Sequence, residues 1–280
     1  MNRPMILYND RLVDREEVRI DIEDRGYQFG DGVYEVVSIY GGQIFRLQEH
    51  LDRFEYSANQ IGITLPVSLE NLKENLHKLM EVHELKNGQI YFQVTRGYAP
   101  RNHPFPDPAH PVLTGYVTRK PRPVELMEKG VSVIVTEDIR WLRCDIKSLN
   151  LLGSVLAKQK AAEQGGYEAI QHRDGIVTEG SASNLFMVRD GKLYTHPLGN
   201  LILGGITRIV VLEIAKKLNI EVVETPFTLE DLAQADELFL TSTTSEIMPI
   251  VTIDGKPVKN GIRGSVTKQL QEEFNSLIQV

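Results

Sequence analysis

Apolar residues along this chain recur in two rhythms. Residues 6–8 and 11–13 are short apolar runs on either side of Asn9-Asp10, a pattern that predicts a tight hairpin. Residues 33–40 are rich in β-formers and predict a strand, which Gly41-Gly42 turns into a second one at 44–45. From Leu47 the spacing lengthens: Leu51, Phe54, Ala58 and Ile61 recur at helical intervals as far as Gly62. A second helix, capped by Ser68, carries Leu69, Leu72, Leu76, Leu79 and Met80 on its core face and is ended by Asn87-Gly88. Strands are predicted over 90–96 and 112–118. The segment 97–111 between them is proline-rich and long for a plain connection, which points to a working loop. Residues 24–32 hold Gly26, Gly30 and Gly32 and predict a loop that bends closely around something.

Arg119-Lys120-Pro121-Arg122-Pro123 is stiff and charged, and it reads as a linker between a small domain, residues 1–118, and a larger one, residues 124–280. In the second part, strands are predicted at 131–135, 167–172, from 177 onward, 185–188, 193–195, 221–223, 238–240 and 250–252. Helices are predicted near 153–163, 209–218 and 263–278. Asp174-Gly175 and Asp190-Gly191 are hairpin signals. Strands alternating with helices, interrupted by hairpins, give an α+β (mixed α/β) fold rather than a pure βαβ chain.

Composition narrows the function classes. The chain has 280 residues, 41% hydrophobic and 25% charged, which suits a soluble globular protein with real cores. The net charge of −7 argues against nucleic acid or an anionic membrane as partner. Cys144 is the only cysteine, so neither an intrachain disulfide nor a cysteine metal cluster is available. No run approaches the roughly 20 apolar residues that span a bilayer. The amino-terminal stretch lacks a signal-peptide pattern. A cytoplasmic protein without a metal site is expected.

Candidate chemistry begins at residues 141–150. Lys147 lies among Ile146, Leu149, Leu151 and Leu152, and an amine in apolar surroundings loses its proton more readily and can bond an aldehyde. Taken alone, Lys147 reads first as a solvated surface lysine, since most lysines are solvated. Glu179 follows a strand and precedes Gly180. It is either a turn residue or a carboxylate that keeps a pyridine nitrogen protonated. Gly205-Ile206-Thr207-Arg208 opens a helix, where free N–H groups suit a phosphate or simply an ordinary cap. Thr241-Ser242-Thr243-Thr244-Ser245 offers further hydroxyls. Arg53 could grip a phosphate or pair with Glu49 or Asp52. Arg101 and His103, two apart on the long loop, could join Tyr34 in a carboxylate clamp. No Gly-x-Gly-x-x-Gly, Gly-x-Ser-x-Gly or His-x-x-x-His pattern is present.

The whole set resembles the class IV pyridoxal-phosphate enzymes. The resemblance runs from Leu7-Tyr8-Asn9-Asp10 to the last helix. Its strongest parts are residues 24–35, 90–96, Arg101-Asn102-His103, 141–152, 178–184 and 237–247. It implies a two-domain fold with pyridoxal 5'-phosphate at the domain interface. Lys147 then resembles the Schiff-base lysine and proton shuttle, and Glu179 the partner of the pyridine nitrogen. Arg53 resembles the phosphate-binding arginine. Ser183, Ile206, Thr207 and Thr243 fall among the remaining cofactor contacts, and Leu203 matches a leucine against the cofactor ring. Tyr34, Arg101 and His103 correspond to the trap for the substrate α-carboxylate. The long loop can reach a neighbouring subunit in this family, which implies a homodimer. Ala182 departs from the pattern and removes one hydroxyl.

The resemblance implies transamination of D-amino acids with 2-oxoglutarate, and Arg101 and His103 on one loop favour that reading within the family. A branched-chain L-amino acid transaminase, an aminodeoxychorismate lyase and a non-catalytic binding protein are the alternatives.

Overall fold

The computed structural model describes residues 4–278. The first residues of the stretch read for a signal peptide lie outside that range. The chain forms two compact units, Met1–Pro121 with Ile146–Asn150, and Arg122–Asp145 with Leu151–Val280.

The first unit is built on β1 (Met5–Tyr8), β2 (Arg11–Asp14), β3 (Gly32–Tyr40), β4 (Gln43–Ile44), β5 (Gly88–Thr95) and β6 (Val112–Thr118). Among the described residues they form one antiparallel sheet, in the order β2-β1-β6-β5-β3-β4. Alternation along β3 sends Val33, Val37 and Ile39 into the core. There they meet Leu51, Phe54 and Ala58 of α2 (Leu47–Gln60) and Leu72, Leu76 and Leu79 of α3 (Leu69–Val82). Ser68 caps α3 by accepting from the Asn71 N–H, as its position before the apolar run implies. That helix stops at Val82 rather than at Asn87-Gly88. Glu84 takes a left-handed conformation (φ +48°), and Leu85 turns back into the core.

Residues 24–32, expected as an irregular loop, contain the short helix α1 (Arg25–Phe29). Asp24 caps it by accepting from the Gly26 N–H, and Gly30 ends it at φ +68°, a conformation that costs glycine nothing.

Residues 146–150, expected in the second domain, belong to the first unit. Ile146 is 4% exposed in the core around Phe54. The backbone of the segment is tied to the start of β3: the Tyr34 N–H donates to Lys147 O (3.0 Å), and the Leu149 N–H donates to Gly32 O (2.9 Å). A side chain on Gly32 would meet Val94 O at 2.5 Å and Leu149 Cδ1 at 2.7 Å, so the close approach requires glycine.

The second unit contains α4 (Val124–Lys129), β7 (Val131–Glu137), α5 (Leu152–Glu163), β8 (Glu168–Arg173), β9 (Ile176–Gly180), β10 (Asn184–Arg189), β11 (Lys192–Thr195), α6 (Ile206–Lys217), β12 (Val222–Glu224), α7 (Leu229–Ala233), β13 (Glu237–Ser242), β14 (Glu246–Ile253), β15 (Lys256–Pro257) and α8 (Ser265–Ile278). Its sheet runs β12-β11-β10-β13-β14-β7-β8-β9, with β15 beside β14. The β11–β12, β14–β7 and β7–β8 pairs are parallel and the rest antiparallel. The Asp174-Gly175 and Asp190-Gly191 turns carry positive φ at both residues, as tight hairpins require.

Two helices of the second unit were not anticipated. The four-residue signal Thr228–Asp231 makes a reciprocal capping box for α7, which is too short for periodicity to reveal. Likewise α4 spans barely two turns.

Candidate active site

In the first unit, Tyr34 and Glu35 are adjacent on β3 and therefore face opposite sides of the sheet. Glu35 points into the core and is fully buried. Its carboxylate accepts from Arg53 Nε at 2.7 Å and Nη2 at 2.9 Å, and it lies 2.7 Å from His50 Nδ1. His50 and Arg53 sit three residues apart on α2, so both reach the same strand. Burial opposes ionisation of Glu35, but the neighbouring Arg53 and His50 outweigh it and hold the carboxyl below its ordinary range. Burial pushes His50 down, against the pull of Glu35. The imidazole is thus neutral near pH 7 and donates its Nδ1–H to a carboxylate that only accepts. Arg53 was expected either at a phosphate or paired with Glu49 or Asp52. Its guanidinium is forked onto Glu35, and Glu49 pairs with Arg46.

Lys147 is half-buried on the segment bound to β3. Its N–H donates to Ser57 Oγ at 3.1 Å, and its Nζ lies 4.3 Å from the centroid of the Tyr34 ring. The apolar surroundings expected from sequence are only partly present. Ile146 is buried, but Leu152 is 71% exposed and contributes no cover. Tyr34 stacks on Tyr91, with centroids 5.6 Å apart. Arg101 and His103 are exposed, and both lie against Phe29. Among the described residues no hydrogen bond, ion pair or ring contact joins Tyr34 to Arg101 or His103. Those three are therefore not assembled into a clamp by contacts within the unit.

In the second unit, β9 presents Glu179, 4% exposed. Its Oε1 accepts from Arg140 Nη1 at 2.5 Å. Its Oε2 accepts from Asn184 Nδ2 at 2.8 Å and from the Leu203 N–H at 3.1 Å. Asn184 also donates to Leu203 O at 2.8 Å, so Leu203 is held at both ends of its backbone. Arg140 is itself fixed by Asp138, with Nε to Oδ1 at 2.9 Å and Nη2 to Oδ2 at 2.8 Å. Burial raises the Glu179 carboxyl despite Arg140, whereas burial of Asp138 is outweighed by Arg140 and that carboxyl falls to about 2. Burial also pushes the Cys144 thiol up to about 11, so it is no ready nucleophile.

Helix α6 begins at Gly205, which offers no side-chain cap. No N-cap side chain bonds its first N–H groups, and beside them lies the buried Thr207, whose hydroxyl makes no hydrogen bond among the described residues. A Cβ on Gly205 would lie 2.0 Å from Asn184 Oδ1, so the Glu179–Asn184 link and the uncapped helix end require one another. Ile206 is buried at that end. Thr243 lies in the turn after β13. Asn184 pairs with Thr241 across β10 and β13, which brings that turn to the same end of the sheet. Ser183 is turned elsewhere: its hydroxyl donates to Glu168 at 3.4 Å. Among the described residues no group of three His, Cys, Asp or Glu residues could hold a metal, and no helix is long and apolar enough to cross a membrane.

Sequence reading missed Glu35, Arg140 and Asn184. A signal existed for the first: Glu35 shares its strand face with Val33 and Val37, and a carboxylate on an apolar face needs a buried cation. Nothing in the sequence singled out Arg140 or Asn184, whose partners lie 39 and 5 residues away.

Comparison with known proteins identifies what these groups resemble. The family described as amino-transferase class IV matches residues 32–253. The D-alanine aminotransferase of Listeria monocytogenes (strain EGD-e serovar 1/2a) is 53% identical over 272 residues, covering 96% of this chain and 94% of that protein. The D-alanine aminotransferase of Staphylococcus aureus (strain COL) is 48% identical over 275 residues, 98% of each chain. Among solved structures, the Escherichia coli branched-chain amino acid aminotransferase superposes with a TM-score of 0.94 at 28% identity, covering 99% of this chain and 95% of that one. The branched-chain enzyme of Thermobaculum terrenum, solved in its PLP-form, gives 0.88 at 27% identity and the same coverage.

Proposed function

The chain belongs to the class IV aminotransferases, and we propose that it transfers the amino group of D-amino acids, D-alanine among them, to 2-oxoglutarate. Identity of 48–53% to D-alanine aminotransferases over nearly the whole chain carries that substrate class. The branched-chain enzymes that share the fold reach only 27–30% identity.

The cofactor of this family is pyridoxal 5'-phosphate. The donor set fits it: a buried carboxylate for a ring nitrogen, an uncapped helix end for a phosphate, and a lysine held on a fixed backbone. When bound, the group supplies an aldehyde for the amino group and a ring that takes up electrons. Lys147 is the proposed point of attachment, and its free amine would move a proton at the substrate α-carbon. Its backbone bonds to Ser57 and Tyr34 fix where that amine can reach. Glu179, stiffened by Arg140 and Asn184, would hold the proton on the ring nitrogen. Ile206 and Thr207 would receive the phosphate at the start of α6, joined by Thr243. Arg53, held by Glu35, would offer positive charge to the same phosphate, and Leu203 would pack on the ring. The orientation of Ser183 toward Glu168 favours a supporting part for it.

Tyr34, Arg101 and His103 are the proposed carboxylate residues. Since no contact within the chain joins them, the loop is proposed to serve a second copy. Exposed Leu152, Val155 and Leu156, spaced i, i+3, i+4 on α5, give an apolar surface suited to such a homodimer. Sedimentation should give twice 31.7 kDa; a stable 31.7 kDa species retaining full activity overturns the dimer. A single cysteine suits a reducing compartment such as the cytoplasm.

Half-reactions test the substrate class. D-alanine should convert the cofactor to its amine form, seen as loss of the yellow absorbance, while L-alanine leaves it unchanged. Conversion by L-alanine or L-leucine alone would favour the branched-chain reading.

A further inference from the structure

Arg25 and Arg96 are 3% and 2% exposed, and both pair with one carboxylate, Asp31. Arg25 Nε lies 2.8 Å from Oδ2; Arg96 reaches Oδ2 with Nε at 2.8 Å and Oδ1 with Nη2 at 3.0 Å. Two buried cations on one anion leave a positive charge that backbone carbonyls must solvate. Arg96 donates to Gly62 O at 2.8 Å and Ile61 O at 2.6 Å. Arg25 donates to Asn102 O at 2.6 Å and His103 O at 3.1 Å. Those two carbonyls belong to the loop between β5 and β6 that carries Arg101 and His103.

Phe29, at the other end of α1, faces the two side chains of that loop. The Arg101 guanidinium lies 4.5 Å from its ring centroid, and the His103 ring meets it edge-on at 5.8 Å. The Arg25 guanidinium is 4.8 Å from the same ring. Neither the Arg101 nor the His103 side chain makes a hydrogen bond or ion pair among the described residues. A guanidinium stacked by its face keeps its N–H edge open for a carboxylate. The root of the loop is fixed as well. The Arg25 N–H donates to Gly97 O at 2.9 Å, and a Cβ on Gly97 (φ +86°) would lie 1.7 Å from His110 O.

We propose that α1 is the mount of the carboxylate-reading loop: Arg25 fixes the backbone at Asn102 and His103, Phe29 aligns Arg101 and His103, and both are positioning residues for the substrate α-carboxylate. The proposal rests on the reading that Arg101 and His103 receive that carboxylate. The mount orders two side chains and an exposed loop before substrate arrives, so less binding energy is lost in ordering them.

Arg25→Lys keeps a charge against Asp31 but loses the fork onto the two carbonyls. Phe29→Leu keeps bulk and loses the aromatic face. Each should raise KM for D-alanine roughly tenfold, the size expected for charge-assisted contacts, with kcat within about twofold. In the apoenzyme, hydrogen exchange of residues 98–110 should quicken, while the affinity for pyridoxal phosphate stays unchanged. The half-reaction of ethylamine, which has no carboxylate, should be unaffected. Arg101→Gln serves as reference. A raised KM in Arg101→Gln with unchanged KM in both mount variants overturns the mount and leaves the carboxylate reading intact. An unchanged KM in Arg101→Gln removes that reading and the mount with it. Equal losses toward ethylamine and D-alanine also overturn the mount. Should Arg25→Lys fail to fold, Phe29→Leu, at a half-buried ring, decides alone.

Discussion

Lys147→Ala is expected to lower D-alanine transamination by roughly 10⁴-fold or more, because it removes both the attachment point and the group that moves the α-proton. The fold should be indifferent. The segment is held through backbone atoms and through Ile146, none of which the substitution touches. What is lost is a half-buried side chain over the Tyr34 ring, worth about 0.5–1 kcal/mol of cation–π attraction at an exposed site. The urea midpoint should therefore barely move while turnover collapses. Borohydride reduction of the loaded parent should leave the pyridoxyl group on the peptide that contains Lys147 and on no other. Added small amines should restore part of the proton transfer in the alanine variant. Full turnover by Lys147→Ala without added amine would remove this lysine from the chemistry.

The fold and the candidate site residues were legible to different degrees. The strands and helices that carry it were readable because each has a long enough period: β3 by its β-branched run, α2 and α3 by helical spacing, the hairpins by Asp-Gly. Glu179, Thr207 and Lys147 were found because the motifs around them are local. Placement was less legible. Residues 146–150 follow the linker in sequence, yet they return to β3 because Ile146 completes the first core and the Gly32–Tyr34 edge offers open backbone groups. Sequence order carries no trace of that return. Charge pairing was the least legible layer. Arg53 has acidic neighbours in sequence at Glu49 and Asp52, yet its fork lies on a fully buried carboxylate of β3, which needs a cation more than a solvated one does. The loop 97–111 reads from sequence as a working loop, but nothing in its own residues shows that an arginine bonded to it lies on α1, 77 residues before Asn102.

These buried pairs share a logic. Glu179, Glu35 and Asp31 each lie wholly or partly out of solvent, and each has a guanidinium within 3 Å. Arginine suits all three because it stays charged and its fork supplies two bonds in fixed directions. Each pair supports a different proposed role: Glu179 as the ring-nitrogen carboxylate, Arg53 as the phosphate arginine, and Arg101 and His103 as the carboxylate residues. The stability of the fold and the placement of the site residues are thus coupled through the same hydrogen bonds.

Glu35→Gln makes that coupling measurable and should have the largest effect on stability, a loss of about 3–5 kcal/mol at pH 7. Glutamine fits the space but removes the charge that the Arg53 fork sits on and offers His50 a weaker acceptor. Both side chains are buried or nearly so. The pH dependence follows from the two shifts. The Glu35 carboxyl is depressed in the folded protein, so its contribution is present above its unfolded value near 4.5 and is lost as the pH falls below it. His50 is depressed as well, so the unfolded chain takes up its proton first, and stability falls as the pH drops through 6.5. The deficit of the glutamine variant against the parent should therefore be present at pH 7 and shrink below pH 4.5, where the unfolded parent takes up a proton that its folded carboxylate does not. Urea midpoints at pH 7 and near pH 3.5 check this. The affinity of the apoenzyme for pyridoxal phosphate should fall together with stability, because Arg53 loses the groups that aim it. A glutamine variant that matches the parent in urea midpoint at pH 7 would mean that Arg53 is held in place without Glu35. One that is destabilised but binds the cofactor as tightly would mean that Arg53 does not serve the phosphate.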